Sequence, residues 1–353
     1  MGRKSLAKIA AGITASALIL TGCAVDNNSG GTSTGETPSG EITIACGAME
    51  DWCQAMTTAF TAKTGVKATF VRLSSGETVA RLDASKASPE FDVWHGGPVD
   101  GFGAARAKDL LDTYKSPLRS EIPTEFQDAD GYWTGVYIGA LGFCSNQKVL
   151  DELGVDVPTK WDDLLNPKLK SNVSTAHPAT SGTAFTTLWT QVLRLGSEDA
   201  GMDFMKQMHN NVLQYTKSGT APGQIAGRGE VAVGLVFSHD CVKYQEEGMT
   251  DLVVSFPSDG TGYEVGGVAL IKGAKNPTAA KAYIDFALEA ETQEIGATVG
   301  SFQVLTNKNA KTDPRMVDLA SLNLVDYDFA AAAAAKPALT ARFDAEVAAA
   351  PKE

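Results

Sequence analysis

The sequence has little positive charge for its size. Its 353 residues include 30 Lys and Arg against 42 Asp and Glu, which gives a net charge of −12. A surface this acidic repels phosphate backbones, so nucleic acid is not expected as a partner. Beyond the N-terminus no run of about 20 apolar residues exists, and none is expected to cross a membrane. With 43% hydrophobic and 20% charged residues, the composition indicates a globular protein of about two domains.

Motifs of common catalytic sites are missing from the sequence. It contains no H-E-x-x-H or P-loop and no complete dinucleotide fingerprint between a strand and a helix, and its one G-x-S-x-G, Gly31-Thr-Ser-Thr-Gly35, falls in a Gly-, Ser- and Thr-rich segment without the strand and helix that a nucleophile elbow needs. Ser145-Asn-Gln-Lys148 and Lys63-Thr-Gly65 match two motifs of penicillin-binding enzymes. Their order is reversed and no S-D-N accompanies them. We therefore expect no enzyme, and an exported serine hydrolase is kept as an alternative from a different class.

The N-terminus has the features of an export signal. Basic residues precede an apolar run at 9–20, and Leu-Thr-Gly-Cys ends at Cys23. This order predicts a signal peptide over residues 1–22, and its end resembles a bacterial lipobox, which implies a lipid on Cys23. Residues 23–40 are then a lipidated cysteine and a flexible tether rich in Gly, Ser and Thr. The protein is expected to be exported and anchored by lipid to the outer face of the cell membrane.

Four further cysteines follow the tether. Export permits disulfides, and of the three possible connectivities locality favours Cys46–Cys53 and Cys144–Cys241. A metal site is the rival interpretation, but no C-x-x-C and no closely spaced His pair exists. Neither a metal nor another cofactor is predicted.

Strand and helix patterns alternate along the body of the chain, which predicts an α/β fold with helices on both faces of a sheet. The segment 135–146 is a long extended run with spaced glycines, and we expect it to cross between two lobes. Predicted strands cover 41–46, 66–73, 91–95, 231–237, 252–256 and 265–271, and predicted helices cover 50–64, 76–87, 276–288 and the alanine-rich tail.

Several segments in this order carry a family resemblance over residues 41–310. Taken together, they are similar to the solute-binding lipoproteins of ABC importers, in the branch with ferric-iron-binding, phosphonate-binding and, most alike, sugar-phosphate-binding members. The segments are the lipobox, Asp92-Val-Trp-His-Gly-Gly97, the crossing strand, Thr180-Ser-Gly-Thr183 at a helix start, the apolar run 231–237, and Gly266-Gly-Val-Ala-Leu-Ile-Lys-Gly-Ala-Lys-Asn-Pro-Thr-Ala-Ala-Lys281.

The resemblance implies an α/β, two-lobed periplasmic-binding-protein (type II) fold with two crossing hinge strands. Lobe 1 would comprise 41–138 plus 263–315, and lobe 2 would comprise 139–262 plus 316–353. The lobes would close on a small phosphorylated ligand and deliver it to a membrane permease and its ATPase. A monomer is expected, with the lipid as its contact with the membrane.

The iron-binding ligands of the branch are absent. Its iron members use a His, a Glu and two adjacent tyrosines, and the corresponding positions here are Met49, Gly97 and His239-Asp240. Because ferric iron prefers phenolate and carboxylate oxygens, iron is disfavoured and kept as an alternative.

An anion site is predicted where Thr180-Ser-Gly-Thr183 opens a helix, because the N-terminus of a helix offers unpaired N–H groups and partial positive charge. In the branch that the chain resembles, this turn holds an anion. Ser218-Gly-Thr220 is a second such turn. Ordinary helix capping is the alternative interpretation of both.

His239, Asp240 and Glu264 suit hydroxyl groups, since a carboxylate accepts several hydrogen bonds. A sugar phosphate such as a hexose phosphate fits this set, and the alternative is 2-aminoethylphosphonate or another organophosphonate, whose ammonium would pair with a carboxylate. Turns that follow strands add further contacts at the carboxyl edge of the sheet. The predicted ligand-binding residues are Ser181, Gly182, Thr183, His239, Asp240, Glu264, His95, Gly97, Ser75, Ser218, Thr220, Met49 and Glu50.

Overall fold

The computed structural model describes residues 37–350. The predicted signal peptide, Cys23 and most of the tether lie outside the described residues. The last tether residues contact the body, because Asn276 Nδ2 donates to the Ser39 carbonyl at 2.7 Å. No helix within 37–350 is long and apolar enough to span a membrane.

Strands and helices alternate through the body as the sequence predicts. The strands are β1 Glu41–Cys46, β2 Lys67–Arg72, β3 Val93–Pro98, β4 Leu111–Asp112, β5 Thr134–Asn146, β6 Val173–Ala176, β7 Val212–Thr216, β8 Val233–Phe237, β9 Leu252–Ser255, β10 Tyr263–Ile271 and β11 Val304–Leu305. The helices are α1 Glu50–Thr64, α2 Ser75–Ala84, α3 Val99–Ala107, α4 Gln147–Leu153, α5 Gly182–Leu195, α6 Glu198–His209, α7 Ala221–Gly227, α8 Ser238–Glu246, α9 Pro277–Leu288, α10 Ala290–Gln293, α11 Ile295–Thr298 and α12 Phe329–Glu346.

The strands form one path in the order β2-β1-β3-β10-β5-β8-β6-β7, and β5 joins its two halves. In the first half, β1 pairs in parallel with β2 and β3, while β10 is antiparallel to β3 and β5. In the second half, β6 pairs in parallel with β7 and β8. We call the part built on the first half the first lobe and the part built on the second half the second lobe.

Strand β5 crosses between the lobes. Its residues up to Ala140 pair with β10, and from Leu141 onward it pairs with β8 instead. All thirteen residues of β5 are buried, as expected of a strand packed on both faces. A second crossing runs beside it, where Leu141 N donates to the Gly262 carbonyl at 2.9 Å. The two-lobed fold with crossing strands is therefore confirmed.

Each lobe has its own apolar core. The core of the second lobe includes Phe143, Trp161 and Phe185, which are fully buried. The core of the first lobe is built around residues such as Phe60 and Tyr283. Since burial of apolar surface is the main driving force of folding, these two cores hold the walls of the cleft between them.

Helix α12 touches both lobes. Its Ala333 packs against Gly103 of α3 in the first lobe, and Arg342 pairs with Asp199 of α6 in the second at 2.9 Å. Between these contacts, Lys336 Nζ lies 3.2 Å from Asp100 Oδ2. The assignment of residues 316–353 to lobe 2, like the other lobe boundaries, stays a prediction.

Both predicted disulfides are present. Cys46–Cys53 joins the end of β1 to α1, and Cys144–Cys241 joins β5 to α8. The first brackets the turn between β1 and α1, and the second fixes the start of α8 against the crossing strand. Both of these segments line the cleft described next.

Candidate functional site

The cleft between the lobes is lined by the N-terminal ends of six helices. It encloses about 430 Å³ of space not filled by atoms, part of it open to solvent. Each helix N-terminus has backbone N–H groups without intrahelical partners and a partial positive charge. Several of them facing one cavity favour a negatively charged ligand. The cleft-lining N-cap residues are Met49 of α1, Ser74 of α2, Pro98 of α3, Ser181 of α5, Thr220 of α7 and Phe237 of α8.

The turn before α5 has the form of an anion site. Ser181 Oγ accepts from Ala184 N at 3.3 Å, so its side chain caps the helix as the alternative interpretation expected. The capping leaves the first-turn residues Gly182 and Thr183 facing the cleft, opposite Ser75 and Gly97 of the first lobe. Capping and anion binding are thus compatible at this turn.

Arg72 supplies the positive charge of the cleft, and sequence analysis missed it. Among the described residues that line the cavity, Arg72 is the one Lys or Arg. Its Nε donates to the Ala48 carbonyl at 3.2 Å, and its Nη2 donates to Ser218 Oγ at 3.1 Å. The guanidinium therefore touches both lobes. Its position at the carboxyl end of β2 is the signal that could have identified it.

The same cavity also gathers His239, Asp240 and Glu264. His239 and Asp240 begin α8, and Glu264 pairs in register with Gly139 on β5. A Cβ atom on Gly139 would lie 2.8 Å from His239 Cε1 and 3.0 Å from Glu264 Oε1. Only glycine at this position lets the imidazole and the carboxyl group meet over the crossing strand.

Burial shifts the pKa values of His239, Asp240 and Glu264 and so controls their charge. It lowers the pKa of His239 to about 3, so the imidazole is neutral. It also raises the pKa of Asp240 to about 7, against the opposing effect of Arg72 and Lys243. The pKa of Glu264 is raised well above its usual value, first by burial and then by Asp240. Neutral carboxyl groups can donate as well as accept hydrogen bonds.

Two polar atoms in this group lack partners. His239 Nδ1 and Asp240 Oδ1 are buried without a hydrogen bond from any residue in the described range 37–350. His239 Nε2 lies 3.6 Å from Asp240 Oδ1, beyond hydrogen-bonding distance. Because an unpaired buried polar atom is costly, these atoms are suited to hydrogen bonds with a ligand.

Tyr137 supports the floor of the cleft and was also missed. Its hydroxyl accepts from Gly97 N at 2.8 Å. Gly96 and Gly97 have φ values of 85° and 87°, which favour glycine, so this turn is held in its shape from below. A Cβ on Gly266 would lie 2.1 Å from the Tyr137 ring, and the glycine makes room for the phenol.

The cleft brings together most of the predicted ligand-binding residues. Glu50 and Ser218 lie instead at its outer mouth, beside the Lys243–Asp51 ion pair of 2.7 Å. Among the lining residues missed from the sequence are Ala48, Arg72, Pro98, Tyr137, Phe237 and Gln303. The predicted residues that do line it are Met49, Ser75, Gly97, Ser181, Gly182, Thr183, Thr220, His239, Asp240 and Glu264.

The expectation that His95 lines the cleft is not met. His95 is 1% exposed, and its Nδ1 lies 2.9 Å from the Tyr283 hydroxyl. Its ring packs against Trp52, with 4.4 Å between centroids. Side chains alternate across a strand, and on β3 this alternation directs His95 behind the cleft toward α1 and α9. Burial lowers its pKa to about 3.

Within the described part of the chain, no group of three or more His, Cys, Asp or Glu is arranged to hold a metal ion. Tyr137 is the one tyrosine that lines the cavity among the described residues, and its hydroxyl accepts a hydrogen bond from the Gly97 amide. The donor set therefore differs from phenolate ligation of ferric iron.

Comparison with known proteins agrees with this architecture. The family model "bacterial extracellular solute-binding protein" matches residues 88–333. The solved structure of the periplasmic binding protein AfuA from Actinobacillus pleuropneumoniae, with exogenous fructose-6-phosphate bound, is 40% identical, with a TM-score of 0.85. The match covers 87% of this chain and 98% of that one.

Two curated relatives extend the comparison. A Haemophilus influenzae protein is 41% identical over 297 residues, 82% of this chain and 85% of its own. A putative 2-aminoethylphosphonate-binding periplasmic protein of Salmonella typhimurium is 25% identical over 252 residues, 69% of this chain and 70% of its own. The fold, the cleft and these matches together establish that the chain belongs to the bacterial extracellular solute-binding protein family, the substrate-binding components of ABC importers.

Proposed function

We propose that this protein captures a phosphorylated small molecule, a sugar phosphate such as a hexose phosphate, and delivers it to the permease of an ABC importer. The observation that carries the proposal is the polarity of the cleft. Six helix N-termini and Arg72 favour an anion, and His239, Asp240 and Glu264 add hydrogen-bonding groups in the same cavity.

The first turn of α5 and Arg72 together suit a phosphate group. The first turn of α5 offers backbone N–H groups, and Arg72 offers a guanidinium within the same cavity. Charge-assisted hydrogen bonds from a guanidinium to phosphate are among the stronger ones in proteins. Fructose-6-phosphate, the ligand in the AfuA structure, is a compound of this class.

His239, Asp240 and Glu264 suit hydroxyl groups. Burial raises the pKa of Asp240 to about 7 and that of Glu264 well above its usual value, so these carboxyl groups can hold a proton near neutral pH. A protonated carboxyl can donate one hydrogen bond and accept others, which matches the donor and acceptor character of sugar hydroxyls. An organophosphonate is the second candidate, because the Salmonella relative is named as a putative 2-aminoethylphosphonate-binding protein. Its phosphonate group would use the same contacts with α5 and Arg72 as a phosphate.

Binding would work by closure of the lobes. A ligand that touches both α5 of the second lobe and β2 of the first stabilises the closed state by its differential affinity. The closed form would then dock on the permease, and lipid on Cys23 would keep the carrier at the membrane. Replacing Cys23 with Ala should release the protein from the membrane fraction; retention there would exclude this anchor.

The test is a set of melting-temperature shifts of the compact body, residues 37–353. The panel holds glucose 6-phosphate, fructose 6-phosphate, glucose, inorganic phosphate, 2-aminoethylphosphonate and ferric citrate. A ligand at 100 times its Kd adds about 2.7 kcal/mol, which is a shift of a few degrees. A shift with the sugar phosphates but not with glucose is the expected result.

The other outcomes separate the alternatives. A shift with 2-aminoethylphosphonate alone would replace the sugar with an aminoalkyl group and make Asp240 or Glu264 its ion-pair partner. A shift with ferric citrate alone would contradict the proposal and restore iron. Hydrolysis of sugar phosphates by the purified protein would support the hydrolase alternative instead.

A further inference from the structure

The first turn of α2 meets the turn before α5 across the edge of the cleft. Gly76, the second residue of α2, belongs to the first lobe, and Thr180 directly precedes the N-cap of α5 in the second. Gly76 N donates to the Thr180 carbonyl at 2.9 Å. One backbone hydrogen bond therefore joins the two lobes beside the anion-binding turn.

The contact leaves no space for a side chain at position 76. A Cβ atom there would lie 2.1 Å from the Ala179 carbonyl oxygen and 2.9 Å from Thr180 Cα. Both are backbone atoms of the opposite lobe, and neither can turn aside as a flexible side chain would. With any residue other than glycine at 76, the two lobes would have to move apart at this edge.

Nothing within α2 itself requires glycine. Positive φ values, where glycine is favoured, occur at other glycines of the described chain but not at Gly76. In the interior of a helix, alanine is more favourable than glycine by about 1 kcal/mol. The close approach of the opposite lobe therefore explains why position 76 is a glycine.

A second glycine at the same interface fits this picture. A Cβ on Gly182, in the first turn of α5, would lie 2.7 Å from the Pro98 ring and 2.9 Å from Ser75 Oγ. The residues on either side of the Gly76–Thr180 bond, Ser75 and Ser181, both line the cavity. The segment that would bind the anion is thus also the segment on which the lobes meet.

We propose that Gly76 is a positioning residue for cleft closure: its N–H and its missing side chain let the turn at Thr180 dock on the first lobe. This inference rests on the proposed capture of a ligand by closure, but not on the identity of that ligand. Ligand binding and lobe docking are then coupled, because an anion on the first turn of α5 favours the position in which Thr180 accepts from Gly76.

The test is Gly76→Ala in the body 37–353, with Ser85→Ala at the half-buried C-cap of α2 as the control. Small-angle X-ray scattering without ligand and with glucose 6-phosphate measures closure, and calorimetry measures affinity. Because the contact is expected in the ligand-free protein, its loss in Gly76→Ala should lower the ligand-free melting temperature slightly, while circular dichroism should show unchanged helix content. The radius of gyration of the variant should rise, and its affinity should fall about tenfold or more as the closed fraction decreases.

Each result decides the matter. Unchanged scattering and affinity in Gly76→Ala would overturn the inference, and so would equal changes in Ser85→Ala. A loss of helix content in ligand-free Gly76→Ala would assign Gly76 to folding and would also overturn it. If glucose 6-phosphate fails to bind the unmodified protein, the sugar-phosphate proposal fails, while the ligand-free scattering still tests the role of Gly76.

Discussion

Arg72 and Ser218 are 146 positions apart in the chain, yet Arg72 Nη2 lies 3.1 Å from Ser218 Oγ. The arginine ends β2 of the first lobe, and the serine lies between β7 and α7 of the second. The guanidinium has further N–H donors and faces the cavity, so it can bind an anion while it keeps its contacts with both lobes. Arg72 is accordingly central to the expected behaviour of the site.

Replacement of Arg72 by Met should weaken binding of glucose 6-phosphate by about 2 kcal/mol, roughly thirtyfold, since a charged hydrogen bond is lost. Arg81→Met is the matched control, because Arg81 is exposed and pairs with Glu90 away from the cleft. Isothermal titration calorimetry compares the two. Equal affinities for Arg72→Met and the control would remove Arg72 from the ligand site.

Asp240 should make the stability of the ligand-free protein depend on pH. Burial raises its pKa from 3.8 to about 7, so the folded state holds the proton more tightly than the unfolded state. The stabilisation is complete below pH 4 and is lost as the pH rises to about 7, with a slope of at most about 1.4 kcal/mol per pH unit. Urea unfolding of Asp240→Asn across this range should lack that part of the slope.

The exposed Asp156 offers the control for this measurement, as Asp156→Asn should keep the slope of the unmodified protein. Asp240 also raises the pKa of Glu264, so Asp240→Asn removes that effect as well, and the lost slope belongs to Asp240 together with its influence on Glu264. Identical slopes for Asp240→Asn and the unmodified protein would mean that Asp240 is ionised in the folded state at pH values near 4.

The two disulfides should contribute unequally to stability. Cys144–Cys241 spans 97 positions and Cys46–Cys53 spans 7. In the chain-entropy model their removal costs about 4.7 and about 2.4 kcal/mol. Denaturant unfolding of the two double alanine variants tests this order. Because Cys241 follows Asp240 directly, loss of the longer bridge should also weaken ligand binding; intact affinity would show that α8 is positioned without it.

Tyr137→Phe should destabilise the turn at Gly97. The variant leaves a buried N–H without its acceptor, which costs about 1–3 kcal/mol of unfolding free energy. Tyr132→Phe, with a ring that packs under Arg106 at the surface, is the control. If both variants unfold at the same denaturant concentration as the unmodified protein, another group must satisfy Gly97.

Local patterns were enough to place the main elements and the start of α5 after Ser181. Buried strands and helix starts are visible in sequence as apolar runs and capping residues, and Ser181 and His239 each begin or precede a helix that reaches the cleft. Both disulfides were predicted for a similar reason, since their cysteines flank turns and strand ends.

The direction of individual side chains could not be predicted in the same way. His95 and Arg72 both lie near the carboxyl ends of strands, yet one side chain is buried behind the cleft and the other enters it. Strand twist and pairing register determine which face of the sheet a side chain points to. A register shift of one residue moves the side chain to the other face. Tyr137 lies on a strand that is buried throughout, where nothing distinguishes a site residue from a core residue.

The order of strands in the first half-sheet has a consequence for synthesis. β10 fills the place between β3 and β5, although β3 ends at Pro98 and β10 begins at Tyr263. Every strand of the second lobe is encoded between them, so a growing chain completes its second sheet before the centre of its first. Such long-range pairing slows folding. An N-terminal fragment that stops before residue 263 would expose the edges of β3 and β5, and it should aggregate rather than fold.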